Sequence, residues 1–131
     1  MHAEKIIVSD SNAIDYRIAL VGNPNVGKSV LFGLFTGKYV TVSNYPGTTV
    51  EVTRGMYAGS NDTIEVVDTP GANSLISHSE DERVARDILL RDEEKRVIQI
   101  LDAKNIHRGL LITTQLAEMG LPISIGLNMW D

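Results

Sequence analysis

The stretch Gly22-Asn23-Pro24-Asn25-Val26-Gly27-Lys28-Ser29 constrains this chain more than any other. It fits G-x-x-x-x-G-K-[ST] in full, a loop whose backbone N–H groups wrap a phosphate. The segment Tyr16 to Val21, with its apolar run Ile18-Ala19-Leu20-Val21, precedes it and predicts a buried strand. A helix is predicted from Lys28 to Thr36, with Gly37 placed to stop it. The loop therefore joins a strand to a helix whose N-terminal dipole points at the same phosphates. In that setting Lys28 supplies a point charge to β- and γ-phosphates, and the Ser29 hydroxyl binds Mg²⁺. Val30 follows in the first helical turn and is counted with the nucleotide-binding residues. A plain glycine turn is the competing reading, and the strand–loop–helix context disfavours it.

Bulk properties narrow the setting. The 131 residues fit one domain, with 43% hydrophobic and 22% charged residues. There is no cysteine, so a disulfide scaffold, a thiolate metal site and a catalytic thiol are all excluded. The net charge of −5 and the lack of a dense basic run argue against nucleic acid as a partner. No apolar stretch approaches the ~20 residues of a membrane helix. Membrane insertion by this chain is therefore not expected.

Short apolar runs alternate with amphipathic stretches, which predicts βα units around a mostly parallel sheet. Residues 1–15 are read as an N-terminal arm and 16–131 as the nucleotide-binding domain. Residues 38–49 show turn formers and no clear period. Strands are predicted at Val50 to Tyr57 and Thr63 to Val67, with a hairpin turn at Ala58 to Asp62. Ser79 and Glu82 have capping-box spacing ahead of a helix with Val84, Ala85, Ile88 and Leu89 on one face. A strand at Val97 to Leu101, a helix at about His107 to Met119 and a strand at Ile123 to Leu127 complete the pattern. The fold class is three-layer α/β.

Three further motifs fall in nucleotide-site order. Asp68-Thr69-Pro70-Gly71 follows a predicted core strand, so Asp68 sits on the ligand edge of the sheet, within reach of Mg²⁺. Gly71 would bring its backbone N–H to the γ-phosphate. Pro46-Gly47-Thr48-Thr49 lies in the irregular segment, where a threonine hydroxyl, Thr49 in preference to Thr48, could complete the Mg²⁺ shell. A β-turn leading into a strand is the alternative for that tetrapeptide. Asn128-Met129-Trp130-Asp131 follows the last strand. A carboxylate there can accept from guanine N1–H and its exocyclic amine, a donor pair that adenine lacks. Met129 stands where the common N-K-x-D pattern has lysine, and Trp130 is read as packing or surface. His2, His78 and His107 do not cluster at ligand spacing, and Asp102 is read as a turn former with Asn105.

The set resembles the translation-factor-like branch of P-loop GTPases, and more narrowly the N-terminal G domain of FeoB ferrous iron transporters. The P-loop, Asn44 to Glu51, Ser79 to Asp87, Leu101 to Asn105 and Leu127 to Asp131 carry the resemblance. It implies hydrolysis of GTP to GDP and phosphate, with Lys28, Asn25, Thr49 and Gly71 as catalytic residues. It also implies a potassium ion at Asn25, where an arginine finger would otherwise stabilise charge. Ala72 occupies the position after D-x-P-G and cannot orient a water, so slow intrinsic turnover is expected. Thr69 departs from the leucine usual in the family. A complete G domain would continue into a further helix, strand and base-contacting loop, so the chain is expected to lack the last strand and helix. The resemblance further implies a membrane transport domain as partner and a place at the cytoplasmic face of the cell membrane. The edge at residues 122–127 would be open, an association risk that makes a homo-oligomer an expectation to test. An adenine-nucleotide ATPase, and a nucleotide-binding switch or fragment without turnover, stay open as alternatives.

Overall fold

The structure is a computed structural model that describes residues 13–37, 40–57, 59, 61–76, 78–91 and 93–128. The arm up to residue 12, Ala58, Met129, Trp130 and Asp131 lie outside the described residues. Asp15 is tied to the sheet, its N–H donating to Thr63 O at 2.8 Å and its carboxylate accepting from Thr63 N at 2.6 Å.

The elements run β1 (Tyr16–Gly22), α1 (Lys28–Thr36), β2 (Val40–Asn44), β3 (Glu51–Met56), β4 (Ile64–Asp68), α2 (Glu80–Leu90), β5 (Lys95–Asp102), a 3₁₀ turn (Ile106–Gly109), α3 (Leu110–Glu118) and β6 (Ile123–Asn128). They form one six-stranded sheet in the order β2-β3-β4-β1-β5-β6. The pairs β4–β1, β1–β5 and β5–β6 are parallel, and the β2–β3 and β3–β4 pairs are antiparallel.

Alternation along β1 divides the core. Ala19 and Val21 face one side, where they pack with Ala85, Leu89, Ile112 and Leu116 of α2 and α3. Leu20 faces the other side and packs with Phe32 of α1 and Val66 of β4. Helices on both faces of the sheet give the three layers expected from the βα pattern. Central strands buried on both faces read as unbroken apolar runs, which is why β1 was legible.

β2 corrects the irregular reading of residues 38–49. Its residues are all exposed, with Val40 at 40% and Val42 at 55%, so no half-buried alternation marks it in the sequence. Backbone pairing with β3, from Val40 opposite Gly55 to Asn44 opposite Glu51, makes it a strand. At the other end of the sheet β6 pairs only with β5 among the described residues.

Because β1, β4, β5 and β6 are parallel, their C-terminal ends lie along one edge. Leu20 is in register with Asp68, Gly22 with Ile100, and Asp102 with Asn128. The loop 23–27 leaves that edge from the centre of the sheet, where ligands bind in open α/β folds.

Candidate functional site

The loop owes its shape to two left-handed residues, Asn25 (φ 66) and Gly27 (φ 86). Gly27 caps α1 with no side-chain hydrogen bond, so the first N–H groups of the helix stay available to a ligand. It must also be glycine because Asn128 lies against it. A Cβ at position 27 would come within 1.9 Å of Asn128 Nδ2. Asn128 Nδ2 donates to Val26 O at 2.9 Å, so the end of β6 holds the loop from below.

Lys28 is buried and its Nζ donates to Thr69 O at 2.6 Å and to Asp68 Oδ1. Ser29 Oγ donates to Asp68 Oδ2 at 3.3 Å. One carboxylate thus gathers the lysine and the serine of the loop. Ser29 Oγ and Asp68 are hard oxygen donors of the kind that Mg²⁺ takes. No cluster of three or more His, Cys, Asp or Glu side chains gathers elsewhere among the described residues to hold a metal.

An open cleft of about 520 Å³ lies over the loop. Asn23, Pro24, Asn25, Gly27, Lys28, Ser29, Val30, Gly71 and Asp81 line it. Eight of these lining residues were expected from the sequence, and Asp81 was not. Asn23 turns its amide away, donating to Ala72 O at 3.3 Å and to Asn73 Oδ1 at 3.1 Å, and so ties the loop to the segment after Gly71. Thr69, the departure from leucine, is buried with its hydroxyl donating to Leu20 O at 2.6 Å. Ala72 is buried and its N–H donates to Gly22 O at 3.0 Å.

Pro46, Gly47, Thr48 and Thr49 do not line this cleft. Thr48 N donates to Tyr45 O at 3.0 Å, with Gly47 at φ 78, as in a type II turn with proline at the second position. The Thr48 hydroxyl donates to Tyr45 O at 2.9 Å and accepts from Val50 N at 3.1 Å, so it is occupied within the turn. Thr49 instead donates through both its N–H and its hydroxyl to Glu80 Oε1, each at 3.3 Å.

The N-terminal turn of α2 is the part of the site that sequence reasoning missed. Ser79 Oγ accepts from Glu82 N at 3.2 Å, as the capping spacing predicts. The Glu82 carboxylate does not return to the Ser79 N–H, however. It accepts from Asn73 N and Ser74 N at 3.2 Å and from His78 N at 3.1 Å. Burial pushes the Glu82 carboxyl up, but these backbone donors, with the nearby His78, outweigh it and hold the group below its ordinary value. Asp102 is a turn former as expected, its carboxylate accepting from Lys104 N at 2.9 Å.

A phosphate-wrapping loop at the head of a central parallel strand, with lysine and serine opening the next helix, defines a P-loop nucleotide-binding domain. Residues 16–131 match the family described as Ferrous iron transport protein B. The Fe(2+) transporter FeoB of Methanocaldococcus jannaschii is 46% identical over 105 residues, 80% of this chain and 16% of that protein. The Fe(2+) transporter FeoB of Salmonella typhimurium is 40% identical over 118 residues, 87% of this chain and 15% of that protein. A GDP-bound mutant of the S. thermophilus FeoB G-domain aligns with a TM-score of 0.82 at 46% identity, covering 87% of this chain and 44% of that one. The T. maritima FeoB cytosolic domain in its GMPPNP form gives 0.71 at 30% identity, covering 86% and 56%. The chain belongs to the FeoB family, and it spans about one-sixth of the transporters it matches. No helix among the described residues is long and apolar enough to cross a membrane.

Proposed function

We propose that this chain is a guanine-nucleotide-binding domain that hydrolyses GTP to GDP and phosphate, and that it regulates a ferrous iron transporter. The observation that carries the reading is that Gly27, Lys28 and Ser29 line one cleft while Asp68, at the end of β4, is bonded to both Lys28 and Ser29, in a chain akin to GDP-bound relatives. On this reading Lys28 leaves Asp68 for the β- and γ-phosphates when a triphosphate enters. The loop N–H groups and Gly71 then face the phosphates. Ser29 and Thr49 would hold Mg²⁺, with Asp68 supporting the site. Mg²⁺ held there would neutralise phosphate charge.

Asn25 turns its side chain into solvent beside the loop and is the residue proposed to hold potassium. Asp131 is proposed to select guanine, and Met129 is counted with the nucleotide-binding residues. Ala72 offers no group to orient water, which supports a slow intrinsic rate, and the rise with potassium is proposed from Asn25. In the parent protein the domain is proposed to work on the cytoplasmic face, coupled to a membrane transport domain.

The test is displacement of fluorescent GDP by unlabelled GTP or ATP in Mg²⁺, followed by phosphate release in potassium or sodium. Displacement by GTP alone, with faster release in potassium, is the expected result. Equal displacement by ATP refutes guanine selection, and bound GTP that is never hydrolysed in either salt refutes the enzyme.

A further inference from the structure

Residues 45–50 lie along α2 and are fastened to it at three places. Thr49 donates twice to Glu80 at the start of the helix. Tyr45 and Val50 pack with Val84 and Ile88 in its middle. The Arg91 guanidinium lies 5.4 Å from the centre of the Tyr45 ring at its end. The middle attachment is a buried apolar cluster. The Glu80 attachment is exposed, polar and made by the one hydroxyl that the nucleotide reading needs elsewhere. The next residue, Asp81, already faces the cleft, so Glu80 holds Thr49 one helical position away from it.

We infer that Glu80 is a positioning residue that sets the preference between tri- and diphosphate by competing with bound metal for the Thr49 hydroxyl. This rests on the guanine-nucleotide reading above. The triphosphate state has to detach Thr49 from Glu80 Oε1, which forfeits two hydrogen bonds to one carboxylate oxygen. The diphosphate state leaves them in place. Glu80 therefore weakens triphosphate binding without touching the ligand, and the remaining attachments at Val84, Ile88 and Arg91 return the segment when the γ-phosphate leaves.

The experiment measures GDP and a non-hydrolysable GTP analogue binding to the 131-residue chain, its Glu80→Ala and Glu80→Gln variants, and each of these with Thr49→Ala. Thr49 amide exchange is followed in the nucleotide-free proteins. Glu80→Ala should raise analogue affinity relative to GDP by roughly three- to tenfold, about 0.7–1.4 kcal/mol. Glu80→Gln, which keeps an acceptor but no charge, should fall between. On the Thr49→Ala background the Glu80 effect should vanish, as a double-mutant cycle requires for groups that act through one another. An effect that survives there is plain charge repulsion at the cleft and overturns the inference, as does an unchanged ratio. If no variant binds guanine nucleotide, the functional reading fails and amide exchange decides the contact alone. Thr49 exchange several-fold faster in Glu80→Ala supports the clasp, and unaltered exchange overturns it.

Discussion

Replacing Glu82 with glutamine tests whether a single carboxylate shapes the segment that carries Gly71 into the cleft. Its two oxygens accept three backbone N–H groups, from Asn73, Ser74 and His78, and the residue is only 9% exposed. A hydrogen bond to a charged acceptor contributes about 1.5–3 kcal/mol, a neutral one about 0.5–1.5. Glutamine has one acceptor oxygen. Turned toward Asn73 and Ser74 it keeps two bonds without charge assistance, a loss of about 1 kcal/mol each. Its amide then faces the His78 N–H, which loses its partner at a further cost of about 1 kcal/mol. The expected total is about 2–3 kcal/mol, or roughly 6–15 °C in Tm for a domain of this size. Urea unfolding at pH 7 measures it. The pH dependence makes the test sharper. The folded carboxyl titrates below its unfolded value of about 4.3, so its stabilisation is fully present above that value and is lost as pH falls through the lowered folded pKa. The gap between wild type and Glu82→Gln should therefore close in acid. A gap under about 0.5 kcal/mol at pH 7, or one that stays constant from pH 7 to 3, refutes the assignment.

Three other outcomes are expected. Gly27→Ala forces an alanine into a left-handed position and its Cβ onto Asn128, so nucleotide retention should be abolished and stability should fall by at least about 1–2 kcal/mol. Fluorescent GDP titration and urea unfolding check it, and retained binding would mean the loop can rearrange. Leu116→Ala, at a fully buried core position between α3 and the sheet, should cost about 2–5 kcal/mol in urea unfolding. Ser79→Ala removes the side-chain cap of α2 and should lower stability by about 1 kcal/mol, with the loss visible in helix-end amide exchange.

The contrast between what the sequence showed and what it hid follows from where each interaction closes. The loop was legible because its requirements are local. Gly27 has to be left-handed, Lys28 and Ser29 open the helix, and the strand before them carries the unbroken apolar run Ile18 to Val21. Even Asn128, a hundred residues away, could be placed, since parallel strands bring their C-terminal ends to one edge. β2 was hidden because its side chains face solvent and its pairing is carried by backbone alone. The acidic turn of α2 was hidden for a different reason. Glu80, Asp81 and Glu82 look alike in sequence, three acids at a helix start where any of them would favour the dipole. The 100° step between helical neighbours sends them to three destinations: Thr49, the cleft, and the backbone after Gly71. A capping spacing correctly located the helix but misassigned the Glu82 carboxylate, because three N–H donors in a loop offer more than the one at Ser79. The same turn thereby touches both segments that would sense a γ-phosphate. Its chemistry belongs to the tertiary arrangement, and only substitutions at the individual acids separate a charge that stabilises a helix from one that positions a site.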